Sequence, residues 1–178
     1  NIFQTLKINN LKPYLLIIIY FVACSPKQTI ELNHYNILGE KMTKKLTKLQ
    51  FNVTQNCSTE PPFNNEYWDN KEDGIYVDII SGNPLFCSIH KYDSGSGWPS
   101  FYDIINDTSV KKSDDYKLGY KRTELKSSSS NAHLGHLFND GPNPTGIRYC
   151  INSASLRFIK YDDLDKEGLS EYKKLFQK

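Results

Sequence analysis

Apolar residues along this chain come in short bursts rather than in long helical stripes. Gly74 to Ile80, Leu85 to Ile89, Tyr116 to Leu125, His133 to Phe138 and Tyr149 to Ile159 are short segments that favour strands. Gly82-Asn83-Pro84, Ser94 to Pro99 and Gly141 to Gly146 punctuate them as turns. Strands this short, separated this way, predict a mainly antiparallel β domain. A short helix is expected over Met42 to Leu49. Another is expected in the tail, Tyr161 to Phe176, where Leu164, Leu169, Tyr172 and Leu175 form a near-helical stripe. Thr59 to Asn65 must be an extended loop, because Pro61 and Pro62 each fix φ and push the preceding residue out of the helical region.

The N-terminal pattern is different. Lys7 and Lys12 precede an apolar run from Tyr14 to Ala23, too short for a bilayer that needs about 20 residues, so residues 1–23 read as an export signal. Phe21-Val22-Ala23-Cys24 is similar to the lipobox of bacterial lipoproteins, with Phe21 where leucine is usual. That resemblance implies lipid attachment at Cys24, a tether over residues 24–40, a domain over 41–178 and a membrane-anchored place in the bacterial cell envelope. An ordinary secretory signal or an uncleaved anchor is the alternative.

Composition narrows the classes further. The 178 residues suffice for one domain with a real core, and 22 basic against 20 acidic residues leave charge nearly balanced. The lysines from Lys41 to Lys48 form the only dense basic run and lack interleaved aromatics, so no nucleic-acid partner is expected. If Cys24 carries lipid, Cys57, Cys87 and Cys150 remain. Three thiols cannot all pair, which points to a reactive or exchanging cysteine.

Cys150 is the best candidate for that thiol. His133-Leu134-Gly135-His136 lies shortly before it, and Arg148 and Asn152 flank it at i−2 and i+2, where a strand puts side chains on one face. Arg148 can lower the thiol pKa by charge and Asn152 can donate a hydrogen bond. The bland alternative makes Cys150 a small buried hydrophobe, the histidines structural, and Trp98 a core anchor.

Several motifs occur in register: Thr59-Glu60-Pro61-Pro62-Phe63, Gly74-Ile75-Tyr76, Ser94-Gly95-Ser96-Gly97-Trp98-Pro99-Ser100-Phe101, His133 to Phe138, Asn139-Asp140-Gly141-Pro142 and Arg148 to Leu156. Together, from about Leu46 to Phe158, they resemble the B-type peptide methionine sulfoxide reductases. The resemblance implies a tent-like fold of two antiparallel sheets with short peripheral helices. It also implies thiol-dependent reduction of methionine-R-sulfoxide in peptides and proteins, with Cys150 as nucleophile passing through a sulfenic acid. His133 and His136 would bind and protonate the sulfoxide oxygen, Arg148 and Asn152 would support the thiolate, and Trp98 would line the methyl pocket. A thioredoxin-like thiol would supply electrons, with no cofactor and a monomeric enzyme.

Two departures stand out. Where many members of that family place two Cys-x-x-Cys pairs for structural zinc, this chain has Asp78, Ser81, Ser127 and Ser130, so no metal is expected. Where many members place a resolving cysteine, this chain has Ser96. Cys57, two residues ahead of Thr59, matches an alternative resolving position, while Cys87 reads as a buried strand residue. Two rival classes stay open: a cysteine hydrolase using Cys150 and His133, for which no third orienting residue is evident, and a non-catalytic lipoprotein binding module.

Overall fold

The computed structural model describes residues 29–35 and 41–177. The leader, Cys24 and most of the expected tether lie outside them. The described part of that tether is a strand, not a linker. β1 (Thr29–Tyr35) pairs antiparallel with β2 (Lys41–Thr47), with Thr29 opposite Thr47.

β2 also replaces the helix expected over Met42 to Leu49. The helix α1 (Lys48–Asn56) begins only at Lys48, where Thr47 and Gln50 form a capping box. The Thr47 amide donates to Gln50 Oε1 at 2.9 Å and the Gln50 amide donates to Thr47 Oγ1 at 3.2 Å. This reciprocal pairing satisfies amides that a helix start leaves free. Cys57 ends α1 in the left-handed region, φ 50°.

The domain then runs through β3 (Gly74–Asp78), β4 (Pro84–Cys87), β5 (Lys91–Tyr92), β6 (Ser100–Phe101), β7 (Val110–Asp115), β8 (Arg122–Ser127), β9 (His133–Phe138), β10 (Arg148–Ile151) and β11 (Leu156–Lys160). Six strands form one sheet in the order β5-β6-β10-β9-β8-β7, and three form another in the order β11-β3-β4. Every recorded strand pair is antiparallel.

Two of the expected strands are broken. Tyr116 to Lys121 is a turn: the Lys117 amide donates to Asp115 Oδ1 at 2.8 Å, and Gly119 adopts φ 81°. Tyr149 to Ile159 is split by a 3-10 turn at Ser153–Ser155, which carries the chain from the large sheet to the small one.

The two sheets pack through aromatic side chains. Phe86 of β4 stacks on Phe101 of β6 with centroids 4.5 Å apart, and Tyr76 of β3 meets Phe101 edge-on at 5.1 Å. Leu85, Leu125, Leu134, Ile151 and Leu156 belong to the same buried cluster. The other face of the small sheet is covered by the tail, where Leu169, Tyr172, Leu175 and Phe176 pack on Ile75, Val77, Cys87 and Ile159. The tail is not the expected α-helix but 3-10 turns at Tyr161–Asp163 and Ser170–Phe176. Its apolar residues at 169, 172 and 175 fall every third position, the 3-10 period. Cys87 is fully buried, as expected of a strand residue.

Candidate active site

Cys150 lies near the middle of the large sheet, with His136 of β9 directly opposite it on one side and Ser100 of β6 on the other. Residues opposed in this way project from the same face, so the pairing itself brings thiol and imidazole together. Gly135 makes the approach possible: a Cβ there would lie 2.0 Å from the Cys150 carbonyl oxygen.

His133 reaches this face by an irregularity. Three residues apart on a regular strand, His133 and His136 would point to opposite faces. The pairing of β8 with β9 slips between Leu125 and Lys126, so that Leu125 opposes Gly135 but Lys126 opposes His133. The extra residue resets the alternation, and the two imidazole rings meet edge-on with centroids 5.4 Å apart.

Each imidazole is backed by a carboxylate. His133 Nδ1 lies 2.7 Å from Glu124 Oε1, and His136 Nε2 lies 2.8 Å from Asp115 Oδ2, which also accepts from Arg122. Burial lowers the His133 pKa, and the hydrogen bond and charge of the Glu124 carboxylate oppose that fall. The hydrogen bond to an ionised carboxylate assigns its proton to Nδ1. Nε2 is buried and has no partner among the described residues. Asp115 is held well below the usual carboxylate range by the Lys117 amide, His136 and Arg122. Sequence reasoning missed Glu124, Asp115 and Arg122, because nothing in the spacing of β7 and β8 marks them. The missing orienting residue that counted against a hydrolase is present, since each histidine has a carboxylate partner.

Arg148 forms a two-pronged ion pair with Asp140, Nε to Oδ1 and Nη2 to Oδ2 both at 2.8 Å, over the ring of Phe138 at 4.3 Å. Burial raises the Cys150 pKa, while the charge of Arg148 and hydrogen bonds from Ser96 and Arg148 pull it back. Asn152 sits beside the thiol, but its recorded bonds go elsewhere: its amide donates to the Leu134 carbonyl at 3.1 Å and its oxygen accepts from the Glu60 amide at 3.1 Å. It therefore holds the entry loop to β9.

Glu60 is the hub of that loop, and sequence reading gave it no role of its own. Its carboxylate accepts from the amides of Ser153 and Ala154, and its carbonyl accepts from Trp98 Nε1 at 3.0 Å. Trp98 is thereby fixed against a pocket of about 120 Å³ that Cys150, His136, Asn152, Phe138 and Thr59 also line. Cys57 and His133 line an adjoining cleft that shares Thr59, Arg122 and His136 with this pocket. Arg148 lines a third hollow with Ser96 and Asp140.

Residues 46–160 match the SelR domain family. The chain belongs to that family. Over 138 residues it is 56% identical to a protein of Vibrio cholerae serotype O1 named peptide methionine sulfoxide reductase MsrA/MsrB, a match covering 78% of this chain and 36% of that relative. The chain thus spans about a third of the length of the curated relative it matches. Membership bears out the family resemblance drawn from the motifs.

In this SelR domain the positions that resembled lost zinc ligands do converge. Asp78 Oδ2 accepts from Ser81 Oγ at 2.8 Å and from Ser130 Oγ at 2.6 Å, and Oδ1 accepts from the Ile80 amide at 2.8 Å. Ser129 links Ser81 to Ser127 at 2.8 and 3.1 Å. One carboxylate already engaged by three donors, with hydroxyls in place of thiolates, does not fit a tetrahedral zinc ion.

Proposed function

We propose that this protein reduces the R epimer of methionine sulfoxide in peptides and proteins, a repair of oxidative damage. The observation that carries this reading is the apposition of Cys150 and His136 across β10 and β9 beneath Trp98, with His133 alongside and a carboxylate behind each imidazole. Family membership and the name of the Vibrio cholerae relative support it.

In this mechanism the sulfoxide methyl packs against Trp98 and the oxygen faces the histidines. Cys150 Sγ attacks sulfur to form an S–S bond, and the S–O oxygen takes up two protons through His133, His136 and bound water and departs as water. A water molecule then attacks Sγ, so that the S–S bond breaks and methionine leaves. The enzyme thiol is oxidised to a sulfenic acid as the sulfoxide is reduced. Cys57 then attacks that sulfenic sulfur, a disulfide forms, and water departs. The neighbouring clefts of Cys57 and Cys150 favour this partner, whereas Cys87 is sealed in the core. A thioredoxin-like dithiol reduces the disulfide.

The proposal includes an exported, monomeric enzyme anchored in a bacterial cell envelope through lipid on Cys24, supported by the Tyr14–Cys24 sequence pattern. The deciding experiment supplies each epimer of a peptide methionine sulfoxide separately, with dithiothreitol as reductant. Reduction of the R epimer alone is expected. Equal rates on both, activity on neither, or ester hydrolysis without sulfoxide reduction would sink the reading.

A further inference from the structure

Beside the catalytic pocket, Cys57, Glu124 and His133 each bring one potential ligand atom to within 4.8 Å of the others. They come from three separate elements: the end of α1, the middle of β8 and the start of β9. We propose that these three residues form a binding site for a divalent cation of the zinc type, distinct from the Asp78 network.

The donor set carries the choice of ion. A thiolate, an imidazole and a carboxylate suit zinc and its d-block neighbours, whereas calcium and magnesium require shells of oxygen. His133 is only 1% exposed, and its Nδ1 lies 2.7 Å from Glu124 Oε1, a separation at which one cation can replace the shared proton and bind both atoms. Glu124 and Cys57 are both partly accessible along a cleft of about 530 Å³, which leaves room for water as a fourth ligand. Three protein ligands and one open position is the arrangement of an accessible zinc site rather than a closed structural one.

The charge balance is favourable. Thiolate and carboxylate together neutralise a divalent ion, and the thiol proton of Cys57 is released to solvent as the sulfur–metal bond forms. Two cations oppose the ion: Lys126 Nζ, 3.2 Å from Glu124 Oε2, on the other carboxylate oxygen from the one facing His133, and Lys117, whose Nζ donates to the Cys57 carbonyl at 3.2 Å. Occupancy withdraws both His133 and Cys57 from the sulfoxide chemistry, making the ion a reversible inhibitor. That consequence rests on the proposed reductase reading, whereas the site itself rests on the three ligands.

The test uses the full chain, reduced and stripped with chelator, titrated with cobalt(II) and followed by the sulfur-to-cobalt charge-transfer absorption. One equivalent should develop the band, and zinc should displace it. Cys57→Ser should abolish the band, Glu124→Gln should weaken binding by at least about tenfold, and Cys150→Ser should leave the band intact. No band, an unchanged band in Cys57→Ser, or its loss in Cys150→Ser would overturn the site. Because the readout is spectroscopic, a protein inactive on sulfoxide still reports on it.

Discussion

His136 and Asp115 are joined at 2.8 Å, across the sheet from the thiol, and Asp115 is simultaneously the acceptor for Arg122 and for the Lys117 amide. The turn between β7 and β8 therefore sets the orientation of an imidazole on β9. Replacing His136 with alanine should lower turnover by roughly two to four orders of magnitude, the usual weight of positioned acid catalysis. Asp115→Asn should give a smaller fall in kcat with little change in KM. Steady-state kinetics on the R-sulfoxide peptide check both, and a KM effect alone would move Asp115 to substrate binding.

Cys150 presents a second measurable balance. Burial holds its thiol above the ordinary range while Arg148 and Ser96 oppose that rise. In a Cys57→Ser background, alkylation at Cys150 should accelerate with pH to a midpoint above the ordinary value of about 8.5. Removing the cation in Arg148→Met should displace the midpoint further upward and slow alkylation at neutral pH. A downward displacement would mean that Arg148 does not act on the thiol.

Glu60→Gln should cost about 1–3 kcal/mol, because a carboxamide offers one acceptor oxygen where two amides need one each. Burial raises the Glu60 pKa against the pull of those amides. A carboxyl that binds its proton more tightly when folded adds stability below its unfolded pKa of about 4.3, and loses it as pH rises through the folded value. The difference between wild type and Glu60→Gln in urea unfolding should therefore be larger at acid pH than at neutral pH.

Gly135→Ala should be severe. The added methyl would lie 2.0 Å from the Cys150 carbonyl oxygen, which is backbone and can retreat only by parting β9 from β10. A loss of at least about 1–3 kcal/mol is expected, as for other overpacked sites. Urea unfolding measures it, and an unchanged midpoint would contradict the close approach.

The sequence was most legible where side-chain chemistry is local. Gly74 to Ile80 announces itself through β-branched and aromatic residues, His133 to Phe138 and the start of β10 through short apolar bursts, and Cys87 reads as core from its neighbours alone. β7 was not anticipated: Lys111, Lys112, Asp114 and Asp115 give an edge strand no apolar alternation, and it exists through pairing with β8. The pairing of Lys41–Thr47 with residues 29–35 is likewise a long-range fact that defeats a helical reading of a lysine-rich stretch. At the site, the thiol, histidines and tryptophan were legible as motif residues. Glu124 and Asp115 were not, because a strand register and one slipped residue, rather than sequence proximity, bring them to the histidines.

The Asp78 network has a chemical consequence beyond holding β3 against the loop after β8. Thiolates gathered around a metal are themselves targets of the oxidants that turn methionine into its sulfoxide, and each step up that ladder strips the metal of a ligand. Hydroxyls and a carboxylate have no such ladder. The Asp78 clasp in this scaffold is therefore chemically inert to the stress that generates the proposed substrate, and it needs neither a supply of metal nor a reducing surrounding to stay closed.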